Sequence, residues 1–549
     1  MKKTSVIFGA LAVLIFLYSS SAGAIQWDDG RLTVDYSIEV YHEQVYGNVT
    51  RSSLDVHKKD KDNWQYNEEF RLKLDQNISD NLNLDFFFYG RHTTDKELTN
   101  WRWKLLQAYL RLYGDDYEFA VGDISEYYSK YTFRNTFLGA KAWYRPVPEF
   151  RIMALGGRNR ESELDTFEHS FGSVRLEFAP LPDYSLGATW IHTEITKLCG
   201  ETYVTDYSND VWALDTELRF LKRKLLIRGE GALSYYEEDR NNPLTDEVQG
   251  WAVWARADYR PIRKLKLSFE YERVDPMFYT VMGTASPDRE SFKGMINYNP
   301  SPEWKFWGKY RHYRNALLSK SDVDFRTNTY YSELGATYRP FYDDDIYFKY
   351  LKLDLELDHT HRMSEDHPKF PKTTDYETYR LKLMASNRYK NMYYSLEYRL
   401  RYLDDHRPDE ADTVNNTIRA NWRYNFNALN LGWALGLGAG FDLKRTLEKV
   451  PTPKTYFDTT TILHAGLGVN YEPTKTNLKA YYDASFTNRE QGDDTRRNVT
   501  EVAIEQVLYE NEIFKSIVGA SYKNVDYWSH DYTERYGENI YMFNFSLHF

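Results

Sequence analysis

One cysteine, Cys199, stands in 549 residues. No second thiol can pair with it, and without a Cys-x-x-Cys-His motif the chain attaches no c-type haem of its own. Cys199 falls in a long polar connection and reads as an incidental free thiol. Beyond the first 24 residues there is no apolar run of 18 or more, which excludes a membrane-spanning helix. A His-Glu-x-x-His run, a nucleophile elbow and a glycine-rich loop ending in Lys-Ser or Lys-Thr are also absent. No enzymatic activity is therefore expected, and no metal or cofactor held by this chain. Cationic residues are in deficit, 70 against 81 anionic ones, and the net charge of -11 speaks against a nucleic-acid partner. No linker, low-complexity stretch or shift of composition interrupts the chain.

What is present begins with a leader. Lys2 and Lys3 precede an apolar run from Val6 to Tyr18, and Ala22-Gly23-Ala24 forms a small-x-small cleavage site before Ile25. Residues 1–24 are expected to be a secretory signal peptide and residues 25–549 one domain. Losing two lysines takes the charge from -11 to -13.

Aromatic residues make up 17% of the chain, with 48 Tyr, 30 Phe and 14 Trp, yet charged residues still make up 28%. Both excesses suit a barrel wall, with Tyr and Trp at the membrane interfaces and charges lining water. The pattern along the chain agrees. Leu32, Val34, Tyr36, Ile38 and Val40 alternate with Thr33, Asp35, Ser37 and Glu39, and Phe70, Leu72 and Leu74 alternate with Glu69, Arg71, Lys73 and Asp75. A period of two gives a strand with one apolar and one polar face.

Tight turns are expected at Ser79–Asn81, Gly114–Asp116, Pro146–Pro148, Pro180–Asp183, Lys222–Lys224, Pro261–Arg263, Asn299–Pro302, Asp343–Asp345, Lys390-Asn391, Asn425–Asn427, Glu472–Thr474 and Glu510–Glu512. Longer polar connections fall between them, among them Thr193–Asp210, Glu237–Gln249, Asp275–Arg289, Asn315–Thr327 and His359–Asp375. The expected fold is all-β, a single transmembrane antiparallel barrel of about 26 strands (24–26), each of about 10 residues, with short periplasmic turns and longer extracellular loops. An even count puts both termini in the periplasm.

The final strand, Tyr541 to Phe549, sets Tyr541, Phe543, Phe545, Leu547 and Phe549 on one face against Met542, Asn544, Ser546 and His548. It resembles the terminal strand of bacterial outer-membrane β-barrels, whose alternation and final aromatic are read by the barrel-assembly machinery. That resemblance implies an outer-membrane location, with lipid and lipopolysaccharide around the wall.

Residues out of phase with the apolar ones are the candidates for the lumen: Asp215, Glu217 and Arg219; Arg256, Asp258 and Arg260; Lys352, Asp354, Glu356 and Asp358; Glu397, Arg399 and Arg401. Both signs are interspersed, which suits either a wet wall or a large polar partner held by scattered pairs. Gly432, Gly436, Gly438 and Gly440, with Gly466 and Gly468 beside His464, form a stripe where another backbone could approach or the sheet could bend. His359, His361 and His367, and the acidic stretch Asp404, Asp405, Asp409 and Glu410 around His406-Arg407-Pro408, read as hydrated loops or weak cation sites.

A wall of 26 strands closes at roughly 50 Å across, too wide for side chains to fill. The segment from Gly122-Asp123-Ile124-Ser125 through Phe137–Trp143 resembles a strand, loop, strand unit of large barrels such as ushers, but no plug or end domain accompanies it. A plugless barrel of this size resembles the porin component of porin-cytochrome conduits, although the Cys-x-x-Cys of some members is missing. This resemblance implies a sheath around a multihaem cytochrome, with haem carried only by that partner. The alternative is a solute- or polysaccharide-conducting channel narrowed by an inward loop, for which His359–Asp375 is the expected segment.

Overall fold

The computed structural model describes residues 26–27, 29–48, 64–95, 102–159, 167–197, 207–237, 246–315, 326–344, 346–365, 374–390, 392–407, 410, 412–424, 441–448, 454–456, 458–489, 494–511, 514–529 and 535–548. The leader, Cys199, His367, Asp409, the four glycines 432 to 440, the Asn425–Asn427 turn and Phe549 lie outside them.

Regular structure is almost entirely strand. In chain order these are β1 (Gln26–Trp27), β2 (Gly30–Asn48), β3 (Gln65–Ser79), β4 (Leu82–Thr93), β5 (Trp103–Tyr113), β6 (Tyr117–Tyr127), β7 (Arg134–Val147), β8 (Phe150–Asn159), β9 (Phe167–Leu181) and β10 (Tyr184–Lys197). Next come β11 (Ser208–Phe220), β12 (Leu225–Glu237), β13 (Val248–Ile262), β14 (Leu265–Val274), β15 (Arg289–Tyr298), β16 (Trp304–Asn315), β17 (Thr327–Tyr338), β18 (Lys352–Ser364), β19 (Asp375–Tyr389) and β20 (Met392–Asp405). The last are β21 (Asp412–Tyr424), β22 (Phe441–Glu448), β23 (Lys454–Tyr456), β24 (Asp458–Tyr471), β25 (Thr476–Arg489), β26 (Thr495–Glu510), β27 (Lys515–Ser529) and β28 (Arg535–His548), with one 3-10 turn at Glu472–Thr474. Setting aside the two-residue β1 and the three-residue β23 leaves 26 of the 28 described strands. Most are longer than the 10 residues expected, and the connections are correspondingly shorter.

Contacts divide the chain into two units, 1–122 with 421–440 and 460–549, and 123–420 with 441–459. In the first, β25 to β28 pair in sequence, β28 pairs with β2, and β2 to β6 continue the order. The last strand thus lies beside the first long one, with Val40 opposite Phe543, Ile38 opposite Phe545 and Tyr36 opposite Leu547. This is the connectivity of a barrel. In the second unit β7 to β20 form one uninterrupted antiparallel meander.

Register then sorts the side chains, because directly paired residues share a face. On one face runs Leu267, Ile296, Gly308, Leu334, Leu357, Leu381 and Leu400 across seven strands. Leu334 is 64% exposed and Leu214, on the same face, 61%. Apolar area left in water forgoes about 25 cal/mol per Å², so a face built this way is made for hydrocarbon. The opposite face carries the charges. Fold and faces are those of a large outer-membrane β-barrel.

The tight turns fall where Asp, Asn, Gly and Pro predict them, with bulges beside several. Pro146 sits in the register shift between Tyr144 and Val147, and Pro261 in that between Tyr259 and Ile262. A proline cannot donate to the ladder, and a bulge is where no donation is needed. One turn departs from expectation. Asp343 and Asp344 lie in the connection between β17 and β18, in which Tyr347 tucks against Tyr389 (ring centroids 4.4 Å apart) and its carbonyl accepts from Asn387 Nδ2 at 3.2 Å.

Candidate functional site

The polar face of the second unit bears a continuous charged row: Glu217, Arg228, Arg256, Glu270, Lys293 and Arg311 are successive cross-strand partners on β11 to β16. A strand that alternates Leu or Trp with Arg or Glu can place its charges only there. The pairs are close. Arg228 and Arg256 both reach Asp258, at 3.2 and 2.9 Å, and Lys293 reaches Glu270 at 2.6 Å. Lys309 meets Glu333 at 3.3 Å, Lys352 meets Asp354 at 2.8 Å and Arg399 meets Glu397 at 2.6 Å.

One cation is held more tightly than the rest. The Arg175 side chain, 7% exposed, donates from Nε to Glu177 at 2.8 Å and from Nη2 to Asp215 Oδ1 at 3.0 Å. Asp215 is two strands away, and the strand between presents Gly187. A Cβ there would lie 2.4 Å from Arg175 Nη2, so the glycine is what lets the guanidinium cross.

Two connections fold onto this same face. The first, 128–133, joins β6 to β7, and the second, 275–288, joins β14 to β15. Glu230 accepts the backbone N–H groups of Lys130 and Tyr131, both at 3.0 Å, while Lys130 Nζ meets Glu272 at 2.6 Å and the Tyr131 hydroxyl donates to Glu272 at 3.2 Å. The second connection is fixed by Tyr279, whose N–H donates to Ser234 Oγ at 3.1 Å and whose carbonyl accepts from Asn209 Nδ2 at 3.1 Å. The two also bind each other. Thr284 N donates to the Lys130 carbonyl at 2.9 Å and Arg134 N to that of Met282 at 2.8 Å. Burial, then the Glu272 and Glu230 carboxylates, hold the Tyr131 phenol well above its ordinary pKa, so it stays a donor.

These connections bring their own apolar core. Tyr131, Phe133, Phe137, Phe278 and Met282 are essentially without solvent exposure. Tyr131 meets Phe278 edge-on at 5.6 Å, and Phe133 meets Phe137 at 5.4 Å and Phe171 at 5.1 Å. Gly250 on β13 allows the approach, since a Cβ there would stand 2.2 Å from the backbone nitrogen of Phe278.

The candidates read from sequence are distributed as follows. Asp215, Glu217, Arg219, Arg256, Asp258, Arg260, Lys352, Asp354, Glu356, Asp358, Glu397, Arg399 and Arg401 all share the charged face by register. Gly466 and Gly468 lie on β24 beside His464, which contacts Asp483. Tyr541, Phe543, Phe545 and Leu547 lie on β28, and Phe543 is 52% exposed.

The expected loop His359–Asp375 begins as strand instead. His359 and His361 belong to β18, on the apolar-bearing face, and only 365–374 connects β18 to β19. His359 pairs with Glu377 at 3.2 Å and His361 with Asp375 at 3.8 Å. Among the described residues no group of three or more His, Cys, Asp or Glu could hold a metal ion. The second of the two segments on the charged face carries a signal in its sequence: Met277, Phe278, Tyr279, Val281 and Met282 are too apolar for a loop in water.

No protein-family model matches the chain, and no curated protein is similar to it in sequence. Solved structures similar to it include OccK11 (OpdR) of Pseudomonas aeruginosa, at 13% identity over 68% of this chain and 96% of that one, with a TM-score of 0.33. A BenF-like porin from Pseudomonas fluorescens Pf-5 is 10% identical over 68% and 99%, with a TM-score of 0.35. OpdK of P. aeruginosa with vanillate is 12% identical over 67% and 98%, with a TM-score of 0.35.

Proposed function

We propose that the chain conducts solutes across the outer membrane, through a passage lined by the charged face and narrowed by the segments 128–133 and 275–288. One observation carries this reading: both segments are bonded to the charged face itself, through Glu230, Glu272, Ser234 and Asn209. A sheath around a multihaem cytochrome would need that face clear for its partner, and the inward segments occupy it. The paired carboxylates and guanidiniums fit passage of small hydrophilic solutes, which exchange water for scattered polar contacts. The wall would contact lipid and lipopolysaccharide through its leucine rows, and Tyr541, Phe543, Phe545 and Leu547 would serve as the insertion signal.

Planar-bilayer recording tests the reading. The purified chain is expected to give discrete conductance steps, and a variant with 277–283 replaced by a short Gly-Ser linker should give steps roughly twofold larger or more. Equal steps would mean that these segments do not bound the passage. A Soret band co-purifying with the barrel would restore the sheath.

A further inference from the structure

The rim formed by the short turns of β9 to β16 is unlike the rest of the second unit. At the β11–β12 turn, Leu221, Lys222 and Arg223 have φ of 53°, 57° and 64°. Three consecutive left-handed residues without a glycine cost on the order of 1–2 kcal/mol each, and Gly or Asn at these positions would lower that cost. Strain kept in this way marks side chains wanted for another reason. Here they are one exposed leucine and two exposed cations.

The β13–β14 turn also sets an exposed apolar residue, Ile262, beside exposed cations. Lys222, Arg223, Lys224, Arg260, Arg263 and Lys264 are all exposed. The hairpins are neighbours, since the Arg260 N–H donates to the Lys224 carbonyl at 2.7 Å and Lys224 Nζ to that of Pro261 at 3.2 Å. Of the six cations only Arg223 has a carboxylate partner among the described residues, Asp183 at 2.7 Å. Beside them large apolar side chains stand free: Leu181, Phe220, Leu221 and Ile262 are each about half exposed or more. Interspersed cations and apolar residues at one edge of a lipid-facing wall are the pattern that binds an anionic lipid surface.

We propose that this rim binds the phosphate headgroup of an anionic phospholipid, with Lys222, Lys224 and Arg263 at the phosphodiester and Leu181, Leu221 and Ile262 against the acyl chains. The inference rests on the membrane reading above and adds a lipid-selective site to it. An acidic soluble protein would be met by the charges alone, but it leaves the exposed leucines and the strained turn unexplained.

The test is native mass spectrometry of the full chain after reconstitution in equimolar phosphatidylglycerol and phosphatidylcholine. Wild type is expected to retain phosphatidylglycerol selectively, and K222Q/K224Q/R263Q to lose that preference by about tenfold or more, since cations near a membrane attract its anionic lipids. A second variant, I262S, keeps every charge and should weaken retention of both lipids. No phosphatidylglycerol preference in wild type, or a preference unchanged in the triple variant, overturns the proposal, as does an acidic protein displacing the lipid. Conductance in pure phosphatidylcholine bilayers is read in parallel. If it persists while selectivity is absent, the lipid site fails and the channel reading stands.

Discussion

Arg175 concentrates the electrostatics of the charged face in one side chain. Its guanidinium lies between Glu177 and Asp215 and also donates to Thr189 Oγ1 at 2.8 Å. Replacing it in R175L takes the shared guanidinium from Asp215 and leaves Glu177 with Arg151. Breaking one side of such a pair costs about 3 kcal/mol or more, read as a lower urea midpoint for unfolding from lipid vesicles. In bilayers the same variant should shift the reversal potential in a KCl gradient towards cation selectivity; an unshifted potential would remove Arg175 from the conducting path. Gly250 acts by absence of a side chain. In G250A the new Cβ meets the backbone of Phe278, so the second inward segment should detach and conductance should rise with the wall intact.

Among the elements, the short connection after β20 carries the clearest pH dependence. Burial alone would lower the His406 pKa, but the hydrogen bond it donates to Asp375 and the charges of Asp404, Asp375 and Glu377 raise it above its ordinary value. Nδ1 stands 3.3 Å from Asp375 and Nε2 3.6 Å from Asp404. For a raised histidine the stabilisation is complete below the unfolded pKa of about 6.5 and is lost as pH rises through the higher folded value. Amide exchange at 404–407, corrected for intrinsic rates, should therefore be slower at pH 6 than at pH 8. H406Q should abolish the difference.

The strands themselves were legible because alternation and turn residues are local. Asp80-Asn81, Gly114–Asp116 and Lys390 sit between strands as their composition predicts. What alternation cannot show is where a connection goes once it leaves the sheet. Segment 128–133 is aromatic enough to pass for strand, and its partners Glu230 and Glu272 are distant in sequence. The first part of His359–Asp375 departs from expectation for the converse reason: its histidines pair with Glu377 and Asp375 across β18 and β19, so a polar stretch there is still strand. That the charged side chains share one face, by contrast, follows directly from their parity with the leucines.

For the molecule as a whole, the pairing of β2 with β28 is the contact that joins the last described strand to the first long one. Val40 and Phe543 are direct cross-strand partners, and Cβ atoms in such pairs lie about 4.5–5.5 Å apart. With the natural thiol removed by C199S, V40C/F543C should oxidise to a disulfide. The linked protein should keep its folded mobility on heating in detergent to a higher temperature than its reduced form. Failure to oxidise in the inserted protein would place the seam elsewhere.

The inward segments also set an order of events during biogenesis. The carboxylate that receives the Lys130 backbone lies 100 residues further along the chain, and Thr284, which clasps the Lys130 carbonyl, lies 154 residues away. On the proposed channel reading, a chain inserted hairpin by hairpin therefore has its wall before its constriction, since β12, β14 and the second segment must all be in place before the first can dock. Between those moments the nascent protein would be a leak, and a cell making it in quantity has reason to insert it quickly or to meter its synthesis.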